Sequence, residues 1–326
     1  MENLRIGLTY SDVLLVPKKT PLKSRSEANV TSKFSRNVKL NLPIVASNMV
    51  SVCESKMAIA LARVGAIGVI HQFNKIKDQA EEVTKVKRST CYVIDHPLCI
   101  TAGSTIEAAV KVMEEKNVTS LLVTTTGDGH GELQGIFTSR DYLFEENRER
   151  LVREVMTNKE NLIVANPSIS SNEAKQLLHT NRIEKLPLLD ERGKISGLIT
   201  TKDIRKLEQW NNANRDSKGR LVVAAAVGVK DALERAGALV EAGVDVLVLD
   251  IAHCHSDYAI QRIRELKQAF PHIDVVAGNI ATKEAARDLI AAGADGLKVG
   301  IGPSPVCTTR IMSGSGVPQL TAVFDV

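Results

Sequence analysis

Short apolar runs recur along the last third of the chain, at 221–227, 244–249, 273–277 and 296–299. They are rich in Val, Leu and Ala and show little polar alternation, as strands buried on both faces do. Between them, 230–241 and 282–290 carry apolar residues at helical spacing. Both helical patterns end in Ala-Gly, at Gly243 and Gly293, where glycine can take the left-handed stop conformation. This alternation predicts βα units and a parallel sheet. The first third adds strands at 43–46 and 66–70, with a helix over 54–63. About six barrel strands are thus expected, where a closed (β/α)8 barrel has eight. The expected fold is α/β: a (β/α)8 (TIM) barrel, incomplete here. The chain is either a fragment or a short protein that closes its sheet in another way.

The middle of the chain breaks this rhythm and repeats itself. One copy ends Gly135-Ile-Phe-Thr138-Ser-Arg-Asp141, the other Gly197-Leu-Ile-Thr200-Thr-Lys-Asp203. Each follows an amphipathic helix and an apolar strand, at 108–116 then 120–123, and at 172–178 then 186–189. The domains expected are 1–90 and 209–326 for the barrel, with 91–208 inserted as two copies, 91–150 and 151–208. The polar, Asn-rich stretch 210–220 reads as a linker back to the barrel. On residue type alone, Thr138 and Thr200 cap helices, and Asp141 and Asp203 favour a first helical turn.

Composition narrows the class. Hydrophobic residues make up 44% but aromatics only 3%, so the core must be built from Ala, Val, Ile and Leu. The net charge of +4, with both signs mixed, gives no support for nucleic-acid binding. No apolar run is long enough to span a membrane, and the N-terminus Met-Glu-Asn-Leu-Arg lacks an apolar signal region. Cys53, Cys91, Cys99, Cys254 and Cys307 show no metal-type spacing. An odd, scattered set of cysteines fits a reducing cytoplasm.

One of those cysteines is placed for chemistry. Gly300-Ile-Gly-Pro-Ser-Pro-Val-Cys307-Thr-Thr309-Arg310 leaves the apolar run 294–299 as a glycine-punctuated loop. Glycines let backbone approach a ligand closely, and a strand end fixes the sulfur. A lone cysteine is commonly a small buried hydrophobe, but two hydroxyls and an arginine flank this one. Asp250, Asn279 and Gly300 all fall at strand C-terminal ends, the catalytic face of a barrel. Asp250 reads as a site carboxylate or a helix cap, Asn279 as a site residue or a turn, and Met49 as a site residue or core. Lys298 lies inside an apolar strand, an unusual place for a solvated charge.

The loop resembles the active-site loop of the inosine-5′-monophosphate dehydrogenase and guanosine-5′-monophosphate reductase family, which reads Gly-x-Gly-Pro-Gly-Ser-x-Cys-Thr-Thr-Arg. Pro43-Ile-Val-Ala-Ser-Asn-Met49, Val248-Leu-Asp250-Ile-Ala-His253-Cys-His255, Ala277-Gly-Asn279 and Gly316-Val-Pro-Gln319 match further family segments, in family order. The inserted repeat, with Val155-Met-Thr157 opening its second copy, resembles the paired cystathionine-β-synthase modules that this family carries.

That resemblance implies a nucleophile at Cys307, with Thr309 as its hydroxyl partner. Ser47, Met49, Asn279, Lys298 and Gly302 would hold a purine monophosphate. Asp250 would accept from the nicotinamide ribose of NAD, with His253 nearby. Carbonyls of Gly302, Ser304 and Cys307 would face a potassium ion. In the insert, Thr138, Asp141, Thr200 and Asp203 would hold adenine or guanine nucleotides. The family forms homotetramers. The implied reaction is oxidation of inosine monophosphate to xanthosine monophosphate. A reductase of guanosine monophosphate using NADPH, or an inactive paralogue that senses nucleotides or joins oligomers, are the alternatives.

Four departures from the family pattern predict weakened activity. Ser304-Pro305 stands for Gly-Ser, and proline has no N–H to donate. Val50 replaces an aspartate, and Cys254 a glycine. The flap with the Arg-Tyr pair that activates water does not occur within this sequence.

Overall fold

The computed structural model describes residues 5–89, 93–304 and 307–326. The chain forms two compact units, one of residues 1–89 with 212–326 and the other of residues 90–211. It begins with β1 (Ser32–Lys33), β2 (Lys39–Leu40), β3 (Val45–Ala46), α1 (Ser55–Val64), β4 (Ile67–Ile70) and α2 (Ile76–Ser89). The second unit holds β5 (Val93–Ile94), β6 (Cys99–Thr101), α3 (Ile106–Glu115), β7 (Ser120–Thr124), β8 (Leu133–Thr138), β9 (Thr157–Asn158), α4 (Ser171–Thr180), β10 (Lys185–Leu189), β11 (Ile195–Thr200) and α5 (Thr201–Gln209). The chain then returns with β12 (Ala224–Val227), α6 (Ala232–Glu241), β13 (Val246–Asp250), α7 (Asp257–Ala269), β14 (Asp274–Ile280), α8 (Lys283–Ala291), β15 (Gly296–Val299), α9 (Thr309–Ser313) and α10 (Gln319–Asp325).

In the first unit six parallel strands form a curled half-barrel in the order β15-β14-β13-β12-β4-β3. One face carries Ile67, Val69, Ala224, Ala226, Val246, Val248 and Val276 in a single apolar cluster. The residues between them, such as Ala225, Leu247 and Val275, are also fully buried, and α6 and α7 bury Ala236, Leu239, Ile263 and Leu266. Burial on both faces explains the continuous apolar runs. The α6 and α8 patterns stop at Gly243 and Gly293, both at positive φ.

Two local expectations need correction. The run 221–227 joins the sheet only at Ala224, because side chains take up the earlier backbone. Lys87 Nζ donates to the Leu221 carbonyl at 3.0 Å, and Asp245 Oδ2 accepts from Val223 N at 2.8 Å. The Asn-rich stretch after 210, where the chain passes from the second unit to the first, is more than a linker, because part of it packs. Asn214 is 5% exposed and donates to the carbonyls of Gly65 and Ala66, while Asn212 donates to that of Val64. Its polarity serves the orphan carbonyls at the end of α1.

The second unit is a two-copy α/β structure with exchanged edges. Its sheets run β6-β7-β8-β9 and β10-β11-β5. Thus β5, which opens the first copy, pairs with β11 of the second, and β9, which opens the second, pairs with β8 of the first. Each copy has its own core, one around Phe137, Leu121 and Ile106 and the other around Leu186, Leu188 and Ile199. Thr200 leads into α5, but a turn rather than a helix follows Thr138, so helix capping does not describe the first copy.

Candidate functional site

The strand register builds the site. Asp250, Gly278 and Lys298 are Cα partners in one row across β13, β14 and β15. Val248, Val276 and Gly296 form the row beneath. Partners in register face the same side of a sheet, so a polar row tops the apolar interior at the C-terminal ends of the strands. Lys298 Nζ donates to Asp250 Oδ1 at 2.8 Å and to Asn48 Oδ1 at 3.0 Å. Asn48 Nδ2 donates to Asp250 Oδ2 at 2.7 Å. Gln72 Nε2 reaches the Asp250 carbonyl at 3.1 Å. Ser47, Asn48 and Lys298 line a cavity of about 370 Å³ floored by Val69, Val248 and Val276.

Asn279 follows at the same strand end. Its backbone N–H donates to the Ile251 carbonyl, and its carbonyl accepts from Cys254 N. Its side-chain Oδ1 is buried without a hydrogen-bond partner among the described residues. An unpaired buried acceptor is costly and calls for a donor. Met49 is 44% exposed, so it is not core. His253 is exposed, edge-on to His255 with ring centroids 6.3 Å apart. His255 Nε2 lies 2.9 Å from Asp288 Oδ2, turned toward the outer helix α8.

The loop leaving β15 presents Cys307. Hydrogen bonds from the Thr309 hydroxyl and backbone N–H, aided by the Arg310 charge, hold the Cys307 thiol below its usual pKa. Burial instead pushes Cys53, Cys99 and Cys254 up to about 11. A lowered thiol pKa marks a reactive cysteine. Cys307 N donates to the Ser304 carbonyl at 3.0 Å, and Gly302 holds φ +70°. Gly300 stands at φ +128°, where a Cβ would lie 2.2 Å from Gln319 Oε1. Gly302 and Ser304 line a separate cavity of about 550 Å³ with Thr9, Arg310 and Gly316. The Pro305 expectation lies outside the described residues, as does Cys91.

In the second unit, Asp141 Oδ2 accepts from Thr138 N at 2.6 Å and from Thr138 Oγ1 at 2.9 Å. Asp203 Oδ2 accepts from Thr200 Oγ1 at 2.6 Å. Thr138 and Asp141 line a cavity of about 230 Å³ with Arg140, Arg182 and Lys185. Thr200 and Asp203 do not line it. Burial lowers the Lys185 pKa.

Sequence reasoning missed Asn48, Gln72 and the role of Gly278. The only available signal was polarity beside apolar runs, which does not reveal a partner two hundred residues away.

The IMP dehydrogenase / GMP reductase domain family matches residues 7–326. The chain is 50% identical over 320 residues to an inosine-5′-monophosphate dehydrogenase of Nitrosopumilus maritimus, covering 98% of this chain and 66% of that protein. It is 45% identical over 326 residues to a GMP reductase of Leishmania major, again covering 98% of this chain and 66% of the relative. Among solved structures, a cysteine-to-alanine variant of GMP reductase from Trypanosoma brucei with guanosine 5′-monophosphate superposes with a TM-score of 0.85 at 43% identity, over 99% of this chain and 69% of that one. The chain therefore spans just under two thirds of the length of these two curated relatives.

Proposed function

The chain belongs to the IMP dehydrogenase / GMP reductase family, and we propose that it oxidises inosine monophosphate to xanthosine monophosphate with NAD. The Cys307 thiol carries this reading: it is hydrogen-bonded by Thr309 and held below its usual pKa on a loop leaving a strand end. The thiolate adds to purine C2 and forms a C–S bond. The hydrogen on C2 departs with its electron pair as hydride. Water then replaces sulfur at C2 and the thiol returns. When bound, the dinucleotide supplies the hydride acceptor.

The residues present suit these groups. Asp250 and the unpaired Asn279 Oδ1 are acceptors of the kind ribose hydroxyls require. Ser47, Lys298 and Gly302, with Met49 at the rim, would hold the monophosphate, and His253 would lie by the dinucleotide. The carbonyls of Gly302, Ser304 and Cys307 are oxygen donors suited to potassium. The Ser304 carbonyl accepts a bond from Cys307 N at 3.0 Å.

We read the six-stranded sheet as the greater part of a (β/α)8 barrel, supported by its stacked interior rows, and the assembly as a homotetramer. Residues 90–211 are read as paired cystathionine-β-synthase modules. An adenine or guanine nucleotide would sit at Thr138 and Asp141, with Thr200 and Asp203 as the counterparts in the other copy.

The second reading is reduction of guanosine monophosphate with NADPH. It is favoured by the 45% identity to a GMP reductase. Both are tested by supplying inosine monophosphate with NAD, and guanosine monophosphate with NADPH, to the wild type and Cys307→Ala. The first reading expects NADH to form, and its loss in the variant. NADPH consumption alone selects the second. Turnover in neither, without a Cys307 adduct by mass spectrometry, selects a non-catalytic role.

A further inference from the structure

The polar row described above has one position without a side chain, and that position decides what its neighbours do. A Cβ on Gly278 would lie 2.5 Å from Lys298 Cβ and 2.7 Å from the Lys298 carbonyl oxygen. Because Gly278 has none, Lys298 can cross β14 and reach Asp250 on β13 at 2.8 Å. A side chain two strands away would otherwise be screened by the row's middle residue.

Asn48 closes the arrangement. Its carbonyl oxygen faces the ammonium at 3.0 Å and its amide nitrogen faces the carboxylate at 2.7 Å. Asp250, Asn48 and Lys298 thus form a closed ring of three hydrogen bonds. An amide suits position 48, since it can accept from the ammonium on one side and donate to the carboxylate on the other. The three side chains come from β13, β15 and the loop after β3, so the ring also ties one edge of the sheet to the other. Both Asp250 oxygens are engaged, each once. A carboxylate oxygen carries two lone pairs, so one acceptor remains on each.

We propose that Asn48, Lys298 and Gly278 are positioning residues. The ring they build keeps the Asp250 carboxylate oriented, so that its two remaining lone pairs face the vicinal hydroxyls of the dinucleotide's ribose. This rests on the reading of Asp250 as the ribose acceptor. The ring supplies what a lone strand-end carboxylate lacks: a fixed torsion and a nearby positive charge that does not compete for the diol-facing lone pairs.

The test measures dinucleotide binding by calorimetry and steady-state kinetics in the full chain, for Asn48→Leu, Lys298→Met, the two combined, Lys298→Arg and Asp250→Ala. The probes are NAD and an NAD analogue lacking one nicotinamide-ribose hydroxyl. Asn48→Leu and Lys298→Met should each weaken NAD binding by about tenfold or more, the scale of one charge-assisted hydrogen bond. In Asn48→Leu, inosine monophosphate binding should change far less. The pair should be no worse than the worse single variant, because one break opens the ring. Lys298→Arg should recover much of the loss. Discrimination between NAD and the deoxy analogue should collapse in Asn48→Leu, an effect that a merely structural role would not produce. If Asp250→Ala loses NAD affinity while Asn48→Leu and Lys298→Met retain it, the ring has no positioning role and the inference falls with the ribose reading intact. If Asp250→Ala itself binds NAD normally, the ribose reading fails, and the inference with it.

Discussion

The four described cysteines differ in kind, and the difference is local. Cys53 and Cys254 are buried and Cys99 is half-buried, and desolvation there disfavours a thiolate, whereas Cys307 has two donors from Thr309 aimed at its sulfur. Iodoacetamide should therefore label Cys307 first of these four. The rate follows the thiolate fraction, which rises as pH passes upward through the thiol pKa. A lowered pKa places that rise at lower pH, and Thr309→Val, which loses the hydroxyl, should move the pH–rate curve upward. A curve that stays in place would remove Thr309 from the site. Cys307 and Thr309 were legible in the sequence because their chemistry lies in adjacent residues. Asn48 was not, because its meaning depends on Asp250 and Lys298, and only the register of three strands brings those together.

At the scale of elements, two βα units use the same fastening. Lys87 of α2 donates to Asp245 at 2.6 and 2.8 Å and to the Leu221 carbonyl, while Asp245 accepts from Val223 N. Lys267 of α7 donates to Asp295 at 2.7 Å and to the Ile273 carbonyl, while Asp295 accepts from Val275 N. Each lysine follows its helix to the start of the next strand, and each aspartate opens the strand after that, in Gly-Val-Asp and Gly-Ala-Asp. The sequence showed those glycines as helix stops but gave no reason for the aspartates. They satisfy backbone at the ends of the strands opposite the site, where bare N–H and C=O groups would be costly. The Lys87 side chain is 4% exposed and also meets Asp216 at 3.1 Å, whereas that of Lys267 is 22% exposed. Removing a buried cation strands its carboxylates, at a cost of about 3–5 kcal/mol. Lys87→Met should thus lower stability in urea unfolding by that order, and Lys267→Met by less. Equal small losses would show that water replaces both lysines freely.

Across the whole molecule, the hydrophobic pattern is plainest in the four central sheet strands, β4 and β12 to β14, because they are buried on both faces, and the inserted unit holds two apolar cores of its own. The pattern could not expose the exchange of β5 and β9 between copies, since strands of two residues carry no periodicity and edge pairing is a tertiary choice. Nor could it tell the two copies apart, because the Thr-x-x-Asp spacing is the same in both. The cavity distinguishes them. Thr138 and Asp141 line it beside Arg140, Arg182 and Lys185, while Thr200 and Asp203 stand outside it. Three cations and two carboxylates, Asp141 and Glu184, line it, and the excess positive charge favours an anionic ligand such as a nucleotide phosphate. Burial lowers the Lys185 pKa, and an anion there would favour its charged form. If the insert senses nucleotides, ATP or GTP should raise the melting temperature of the chain by mass action. Asp141→Ala should remove most of that rise and Asp203→Ala little of it. Equal effects of the two variants would mean that both copies bind. The absence of any rise at millimolar nucleotide would leave the insert a structural or oligomerising element, with Arg140 kept in its pair with Glu184 at 3.2 Å.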